Sequence, residues 1–312
     1  QYSGQTTNSD FNMNQESTFI HVYGHRLHLK HIYKEQGGQP ILMLHGTIEN
    51  GKIFYTASGK GLACYLADKG FDVYVADFRG KGESVPNISE ESDHGQQEAI
   101  TEDIPAFIDY VFKQTGKKCH VICHSWGGVL FASYLARYPE SLSKVSSKIC
   151  FGTKRTIHTK SFEKWLKVDL LWDKLAPRLA KKKGFIDSER LRFGAEKETY
   201  RFLKQSNIWV KQGPWRDTDD NFDYYTAASN LNWPPTWHLT GVKDKTLGNI
   251  VDVQHFVDEC QIDDVEVSLL GKQQGNLVDY DHINILTHPS AQQDHFPKVV
   301  EWLLKYSPQA SS

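Results

Sequence analysis

A serine between a predicted strand and a predicted helix is a candidate catalytic residue. Ser125 follows the apolar run His120–Cys123 and precedes a helical pattern near residues 127–138, with Gly127 two residues later. A sharp strand-to-helix turn exposes such a serine, and the following helix points its first N–H groups at any oxyanion formed there. Cys123 stands where this S-x-G motif usually has an earlier glycine, and it is small enough for the turn. We predict Ser125 as a nucleophile; the alternative is an ordinary strand-to-helix turn.

A histidine and a glycine follow a second apolar run. His45 and Gly46 come directly after the predicted strand at residues 41–44, and they precede Thr47. A glycine here lets the backbone approach a ligand closely. The backbone N–H groups of Thr47 and Trp126 are therefore the predicted oxyanion hole. His45 belongs to this loop and precedes the serine in the chain, so we predict a structural role for it.

The elements that must position these residues alternate along the chain. A hairpin pattern surrounds Tyr23, and strand patterns then alternate with helical ones. The predicted strands are 41–44, Asp72–Ala76, His120–Cys123, Val145–Phe151, Pro235–Gly241 and Val265–Leu270, and the predicted helices lie near 57–69, 101–114, 127–138, 250–260 and 296–304. This alternation predicts an α/β fold whose central sheet is mostly parallel and is flanked by helices.

The alternation divides the chain into three parts. Residues 1–16 are polar and without periodicity, and we predict a flexible N-terminal segment. Residues 17–152 and 224–312 carry the strand and helix alternation of one core domain, whereas residues 153–223 read as an inserted helical unit. Trp165 and Trp172 lie on one stripe of that unit, where packing on neighbouring helices competes with a ligand-binding role.

Composition excludes several classes of partner. The 312 residues hold 36 Lys and Arg against 38 Asp and Glu, a net charge of −2, so no basic surface for nucleic acid or membranes is expected. Five cysteines without a CxxC pair predict neither a disulfide framework nor a zinc site. They favour a reducing, cytoplasmic location, but a chain that starts at Gln1 leaves a secreted or periplasmic one open. The most apolar stretch, Val121 to Ala136, is too short to span a bilayer.

Taken in order, these segments resemble the α/β-hydrolase superfamily, and the resemblance covers the chain from about residue 17. Within it, LADKGFDVYVADFRG, EDIPAFIDYVFKQTGKK and DYYTAASNLNWPPTWHLTGVKD are similar to the acid lipase branch, and HGTIEN is similar to monoacylglycerol lipases. The resemblance implies an α/β-hydrolase fold. It also implies that the unit 153–223, between strands six and seven, is a helical cap in which Trp165 and Trp172 bind substrate.

The resemblance further implies a chain order of serine, acid and histidine. Asp244 ends the G-x-x-D turn after strand seven and is the implied acid, since the segment after strand six holds no carboxylate. His282, after strand eight, is the implied base. His288 precedes a proline, so capping or packing is the better interpretation, and His295 is expected on the surface of the last helix.

The implied function is a serine hydrolase that cleaves carboxylic esters through an acyl-enzyme intermediate. An esterase or lipase for apolar small-molecule esters fits the composition, and lipid esters are included. No metal or organic cofactor is implied, and the oligomeric state is open. Thioesterase, acyltransferase, peptidase and carbon–carbon hydrolase chemistry remain alternatives, as does a catalytically silent binding scaffold. The presence of Ser125, Asp244 and His282 together favours catalysis.

Overall fold

The computed structural model describes residues 13–158, 181, 184–186 and 196–309. Trp165 and Trp172, the predicted substrate-binding residues, lie outside these ranges. The predicted flexible segment, 1–16, extends too far, because the first strand already begins at Asn14. Asn14 to Glu16 are held there by antiparallel pairing with residues 31–33 of the next strand, a contact that the polar composition did not reveal.

Eight strands of the described chain form one sheet in the order β1-β2-β4-β3-β5-β6-β9-β10. Their bounds are β1 Asn14–Val22, β2 His25–Tyr33, β3 Pro40–Leu44, β4 Asp72–Ala76, β5 Cys119–His124, β6 Val145–Phe151, β9 Thr236–Gly241 and β10 Val265–Leu270. β1 and β2 form the predicted hairpin, and β2 also runs antiparallel to β4. In the sheet order from β4 to β10, every pair of neighbouring strands is parallel. The mostly parallel sheet predicted from the alternation is confirmed.

Helices cover both faces of this sheet. They are α1 Leu62–Asp68, α2 Ile104–Thr115, α3 Trp126–Arg137, α4 Tyr200–Val210, α5 Tyr224–Ser229, α6 Ile250–Cys260 and α7 Phe296–Lys305, with short helical turns at Gln96–Glu98, Ala99–Asp103 and Asn284–Thr287. α1 starts later than the predicted helix near 57–69. Gly59 and Gly61 both adopt positive φ angles there, so the chain turns before it can enter a helix.

The core lies in two layers, one on each face of the sheet. Successive residues of a strand point to opposite faces, so Leu42 and Leu44 join the layer with α2 and α3, whereas Ile41 and Met43 join the layer with α1 and α7. β3, β4 and β5 are buried along their whole length. This double cover is why these strands read as apolar runs rather than as alternating patterns.

The chain between β6 and β9 departs from the alternation in its described part. Its described part holds the short antiparallel pair β7 Phe185–Ile186 and β8 Glu198–Thr199, followed by α4 and α5. Thr199 caps α4, since its hydroxyl accepts from the backbone N–H of Phe202. Within the ranges described above, no helix combines the length and the apolar character needed to cross a bilayer.

Candidate active site

Ser125 lies in a strained turn between β5 and α3. Its φ of 54° and ψ of −128° fall outside the regions that a residue with a side chain usually occupies. The turn is held because the N–H of Ser125 donates to the carbonyl of Phe151 at 2.8 Å. A Cβ on Gly127 would lie 2.4 Å from the carbonyl oxygen of His45, so the second position of S-x-G must be glycine for α3 to pack against the loop after β3. Strain of this kind is characteristic of functional sites.

Cys123 replaces the usual glycine without disturbing this turn. It is fully buried in β5 and lies beside Cys150 of the parallel neighbour β6. Burial raises the pKa of the Cys123 thiol well above its ordinary value, and a hydrogen bond with Cys150 raises it further. The position is therefore occupied by a neutral, small side chain that packs between two strands.

Asp244 and His282 are in direct contact. The Nδ1 atom of His282 lies 2.5 Å from Oδ2 of Asp244. The other carboxylate oxygen of Asp244 accepts from the N–H of Gly248 at 2.7 Å. Burial by itself would raise the pKa of Asp244, but His282, Gly248 and the charge of Lys154 outweigh it and hold the pKa below its ordinary value. An ionised carboxylate thus faces Nδ1, which leaves Nε2 of His282 free to act as a base.

Two glycines leave the space that this contact needs. A Cβ on Gly152 would lie 2.8 Å from Nδ1 of His282, and a Cβ on Gly248 would lie 2.5 Å from Oδ2 of Asp244. Gly152 also adopts a φ of +63°, which side chains rarely tolerate. Gly152 directly follows β6 and Asp244 follows β9, so the acid–base contact lies at the carboxyl ends of these neighbouring parallel strands.

The residue before Ser125 contacts the acid–base pair, and this places Ser125 beside it. The ring of His124 packs at 4.7 Å from the ring of His282, and its Nε2 lies 2.8 Å from the carbonyl oxygen of His282. The hydrogen bonds of the described residues join Asp244 to His282 but do not join the Ser125 hydroxyl to His282. Nucleophile–base hydrogen bonds often tighten only when substrate is bound. The structure thus brings two of the three predicted residues into contact and places the third beside them.

One backbone donor in the loop after β3 has no hydrogen-bond partner among the described residues. The N–H of Gly46 donates to Glu49 at 2.5 Å, and the N–H of Ile48 donates to Glu198 at 3.4 Å. Of these three consecutive N–H groups, that of Thr47 carries no hydrogen bond to any described residue. The N–H of Trp126 begins α3, where no preceding helical carbonyl is available to it. These are the two groups predicted as the oxyanion hole.

Sequence reasoning missed the pair Glu49 and His124. Nδ1 of His124 lies 2.6 Å from Oε1 of Glu49, and the His124 side chain is fully buried. Burial alone would lower the pKa of His124, but Glu49 outweighs it and raises the pKa above its ordinary value. Burial likewise opposes ionisation of Glu49, yet His124 holds the pKa of that carboxyl low. The position of His124 directly before Ser125 was the one signal in the sequence for a role beside the nucleophile.

The other histidines singled out by sequence have structural partners. Nε2 of His45 accepts from the N–H of Phe78 at 3.1 Å, as expected for a structural residue. His288 accepts from the N–H of Ser290 and caps the turn that follows it. The surface position predicted for His295 is wrong, because His295 is only 1% exposed and its Nε2 lies 2.6 Å from the carbonyl of Ile285. It precedes α7 and packs beneath the turn at Asn284–Thr287.

Two features away from Ser125 could hold a ligand. Among the described residues, His28, Asp77 and Glu83 bring enough donor atoms together for a cation, but protein contacts already engage both ring nitrogens of His28. A cavity of about 660 Å³ lies between Trp233 and Tyr306 at the amino ends of the strands. In parallel α/β sheets ligands bind at the carboxyl ends, so this cavity is on the opposite edge from Ser125.

Known proteins of similar sequence and structure are hydrolases. "Lipase 1" of Drosophila melanogaster is 30% identical over 161 residues, which are 44% of this chain and 37% of that protein. "Triacylglycerol lipase 1" of Arabidopsis thaliana is 28% identical over 123 residues, 37% of this chain and 31% of that protein. The chain therefore spans about a third of the length of these relatives.

Solved structures share the fold of this chain. A soluble variant of monoglyceride lipase from Saccharomyces cerevisiae superposes with a TM-score of 0.68 at 18% identity, covering 99% of both chains. The family described as "Serine aminopeptidase, S33" matches residues 37–208, which include the loop after β3 and the turn at Ser125. The sequence match and the sheet order agree that this chain belongs to the serine aminopeptidase S33 family and has the α/β-hydrolase fold.

Proposed function

We propose that the protein is a serine hydrolase that cleaves carboxylic esters through an acyl-enzyme intermediate. The observation that carries this proposal is the partly buried Asp244–His282 contact beside the strained serine at the carboxyl ends of parallel strands. A histidine oriented by an ionised acid, next to a serine hydroxyl, is the arrangement that activates a weak nucleophile. Lipases among the relatives support an ester as the bond that is cleaved.

The chemistry begins with proton transfer within the site. Nε2 of His282 takes the proton of the Ser125 hydroxyl while Oγ attacks the ester carbonyl. The carbonyl oxygen becomes an oxyanion, and the N–H groups of Thr47 and Trp126 stabilise it because they are already oriented. The alcohol leaves with the proton from His282, which yields the acyl-enzyme. Water then repeats the sequence and releases the carboxylic acid, while Asp244 stabilises the imidazolium at each step.

Apolar esters are the substrates that fit the surroundings of the oxyanion donors. The ring of Trp126 packs at 6.2 Å from the ring of Trp209 in α4, and both are buried. This packing of an α4 residue against the neighbour of Ser125 supports an apolar surface from the inserted unit near the nucleophile. We propose that this unit is a cap, and that the stripe of Trp165 and Trp172 extends the same apolar surface to the acyl or alcohol group of the substrate.

A peptidase is the second candidate, since the family's description names an aminopeptidase. An aminopeptidase must bind the α-ammonium group of its substrate, and a free carboxylate near the serine would do so. The carboxylates around the loop after β3 are engaged by protein donors: Glu49 by His124, Glu198 by Lys81 and Glu196 by Asn50. This favours an ester without a charged group beside the scissile bond.

Labelling and substrate profiling test the proposal together. A fluorophosphonate should label the wild-type protein but not Ser125→Ala, and that variant should lose turnover by about 10⁴-fold or more because the three groups act as a unit. His282→Ala should be about as damaging, whereas the matched variant His288→Ala should remain active. Turnover by a folded Ser125→Ala protein would refute the mechanism.

The substrate class needs a second measurement on the same protein. With p-nitrophenyl esters from acetate to octanoate, kcat/KM should rise with chain length, since each buried methylene contributes about 0.8 kcal/mol. Amino-acid p-nitroanilides should react far more slowly. A flat chain-length profile would exclude the apolar cap as the source of specificity, and faster hydrolysis of the anilides would favour the peptidase.

A further inference from the structure

The inserted unit contacts the loop that carries Thr47. Residues 196–199 lie against this loop, about 150 residues away in sequence, and two of their carboxylates face it. Oε2 of Glu198 accepts from the N–H of Ile48 at 3.4 Å. Oε2 of Glu196 accepts from the side chain of Asn50 at 3.1 Å and from the N–H of Gly82 at 2.5 Å. The segment thus joins the loop after β3 to the turn after β4.

The loop itself is strained where Glu198 binds it. Ile48 adopts a φ of +55°, in the left-handed region that a β-branched residue avoids. Such a conformation persists only when neighbouring groups hold it. Gly46 is held from within the loop by Glu49, whereas the N–H of Ile48 is held from the inserted unit by Glu198. Thr47 lies between these two anchored peptide groups, so both anchors determine where its N–H points.

Glu198 is itself rigidly placed. Its carboxylate is 2.6 Å from the ammonium of Lys81, and both side chains are almost fully buried. Lys81 also donates to the backbone carbonyl of Lys197. The next residue, Thr199, donates from its hydroxyl to the carbonyl of His94 at 2.6 Å. A buried ion pair adds little net stability, but it fixes the carboxylate in one orientation.

We propose that Glu198 is a positioning residue: through Ile48 it orients the N–H of Thr47 towards the oxyanion, so that the inserted unit completes the oxyanion hole. This inference rests on the proposed function, since it assigns Thr47 to the oxyanion hole. The effect is on the transition state, where the oxyanion forms, and not on binding of the uncharged ester. Loss of the contact lowers kcat and leaves KM nearly unchanged.

Two double variants separate this role from the stability of the ion pair. Lys81→Met with Glu198→Gln removes both charges and keeps an acceptor for the N–H of Ile48, whereas Lys81→Met with Glu198→Met removes the charges and the acceptor. Gln and Met have similar length and shape, so the two proteins differ mainly in that acceptor. For p-nitrophenyl butyrate we expect kcat of the Gln variant within about threefold of wild type. We expect the Met variant to lose about tenfold in kcat, part of the 10²- to 10³-fold that a full oxyanion donor provides.

A control variant tests whether any loosened contact has the same effect. Arg201 in α4 joins the inserted unit to Asp93 and Glu98, away from the loop after β3. Arg201→Met should therefore leave kcat and KM close to wild type. If the double variants do not fold, the single variants Glu198→Gln and Glu198→Met make the same comparison with Lys81 retained, and the Met variant should again lose the larger share of kcat.

The outcomes distinguish this inference from the proposed function. If a folded Ser125→Ala protein still hydrolyses the ester, the proposed function fails and the role of Glu198 fails with it. If Ser125→Ala is inactive but the Gln and Met variants have equal kcat values, only the role of Glu198 is refuted. A loss in kcat that Arg201→Met reproduces would also refute it, because general loosening of the inserted unit would then explain the effect.

Discussion

Gly152→Ala tests the geometry of the acid–base pair most directly. The new Cβ would lie 2.8 Å from Nδ1 of His282, whereas ordinary contacts begin near 3.4 Å. The imidazole must therefore retreat by about 0.6 Å, and its hydrogen bond with Asp244 is the first contact to be disturbed. A misplacement of about 1 Å can cost roughly 10²-fold in rate. We expect kcat for p-nitrophenyl butyrate to fall by about 10- to 100-fold.

Backbone strain must be separated from this effect, and Gly116 provides the control. Gly116 directly follows α2 and has a φ of +66°, close to the +63° of Gly152, but a Cβ there meets no atom within 4 Å. Each substitution places an alanine in the left-handed region at a cost of about 1–2 kcal/mol. Gly116→Ala should therefore lower Tm by a few degrees, at about 2–4 °C per kcal/mol, and leave kcat unchanged.

The assay pairs thermal melting with steady-state kinetics on both variants. The reasoning holds if Gly152→Ala loses activity out of proportion to its loss in Tm, when compared with Gly116→Ala. It is refuted if Gly152→Ala retains the wild-type kcat, because the position of His282 would then not depend on the space beside Gly152. Equal losses of activity in the two variants would refute it as well, since strain alone would account for them.

Three further outcomes follow from the site. Thr47→Pro should lose roughly 10²-fold or more in kcat because it removes a backbone donor, whereas Thr47→Ala should keep much of the activity; equal effects would place the oxyanion hole elsewhere. Cys123→Gly should remain active and Cys123→Leu should not, since the residue is buried beside Cys150; an active Leu variant would contradict this. Burial would raise the pKa of Asp244, but contact with His282 outweighs it and lowers that pKa below 3.8. The ionised carboxylate therefore stabilises the folded protein above about pH 3.8, and this contribution is lost as pH falls through the lowered pKa of the folded state. Urea unfolding should show that Asp244→Asn destabilises the protein at pH 6 and progressively less below pH 4, and a pH-independent difference would argue against an ionised Asp244.

Local patterns in the sequence were sufficient to predict the strands and the turns that carry the predicted site residues. β4, β6 and β10 have the predicted bounds. The apolar run of β4 indicated its burial on both faces of a parallel sheet. The turn at Ser125 could also be predicted, since a strand, a small neighbour and a helix lie within a few residues of one another. The assignments of Asp244 and His282 needed the resemblance to a family, as no local pattern joins residues 38 positions apart.

Helical periodicity predicted less well where a helix begins and which of its residues are buried by another segment. His295 reads as a surface residue of the last helix, yet it precedes that helix and is buried against Ile285. Periodicity describes one helix in isolation, whereas burial depends on which other segment lies against it. The same reason explains why Asn14 was assigned to the flexible segment: it is polar, but it pairs with Tyr33 across the hairpin.

By itself the sequence determined the order of strands and helices, the serine turn and the loop that carries Thr47. Only the tertiary structure decided which charged groups surround them. Glu49 meets His124 from 75 residues away, and Glu198 meets Ile48 from 150 residues away. Such pairs leave no local signal, because a buried carboxylate is tolerated only when a donor from a distant segment reaches it. The hydrophobic pattern that folds the chain is local, whereas the polar contacts that orient its candidate site form between segments that only the completed fold brings together.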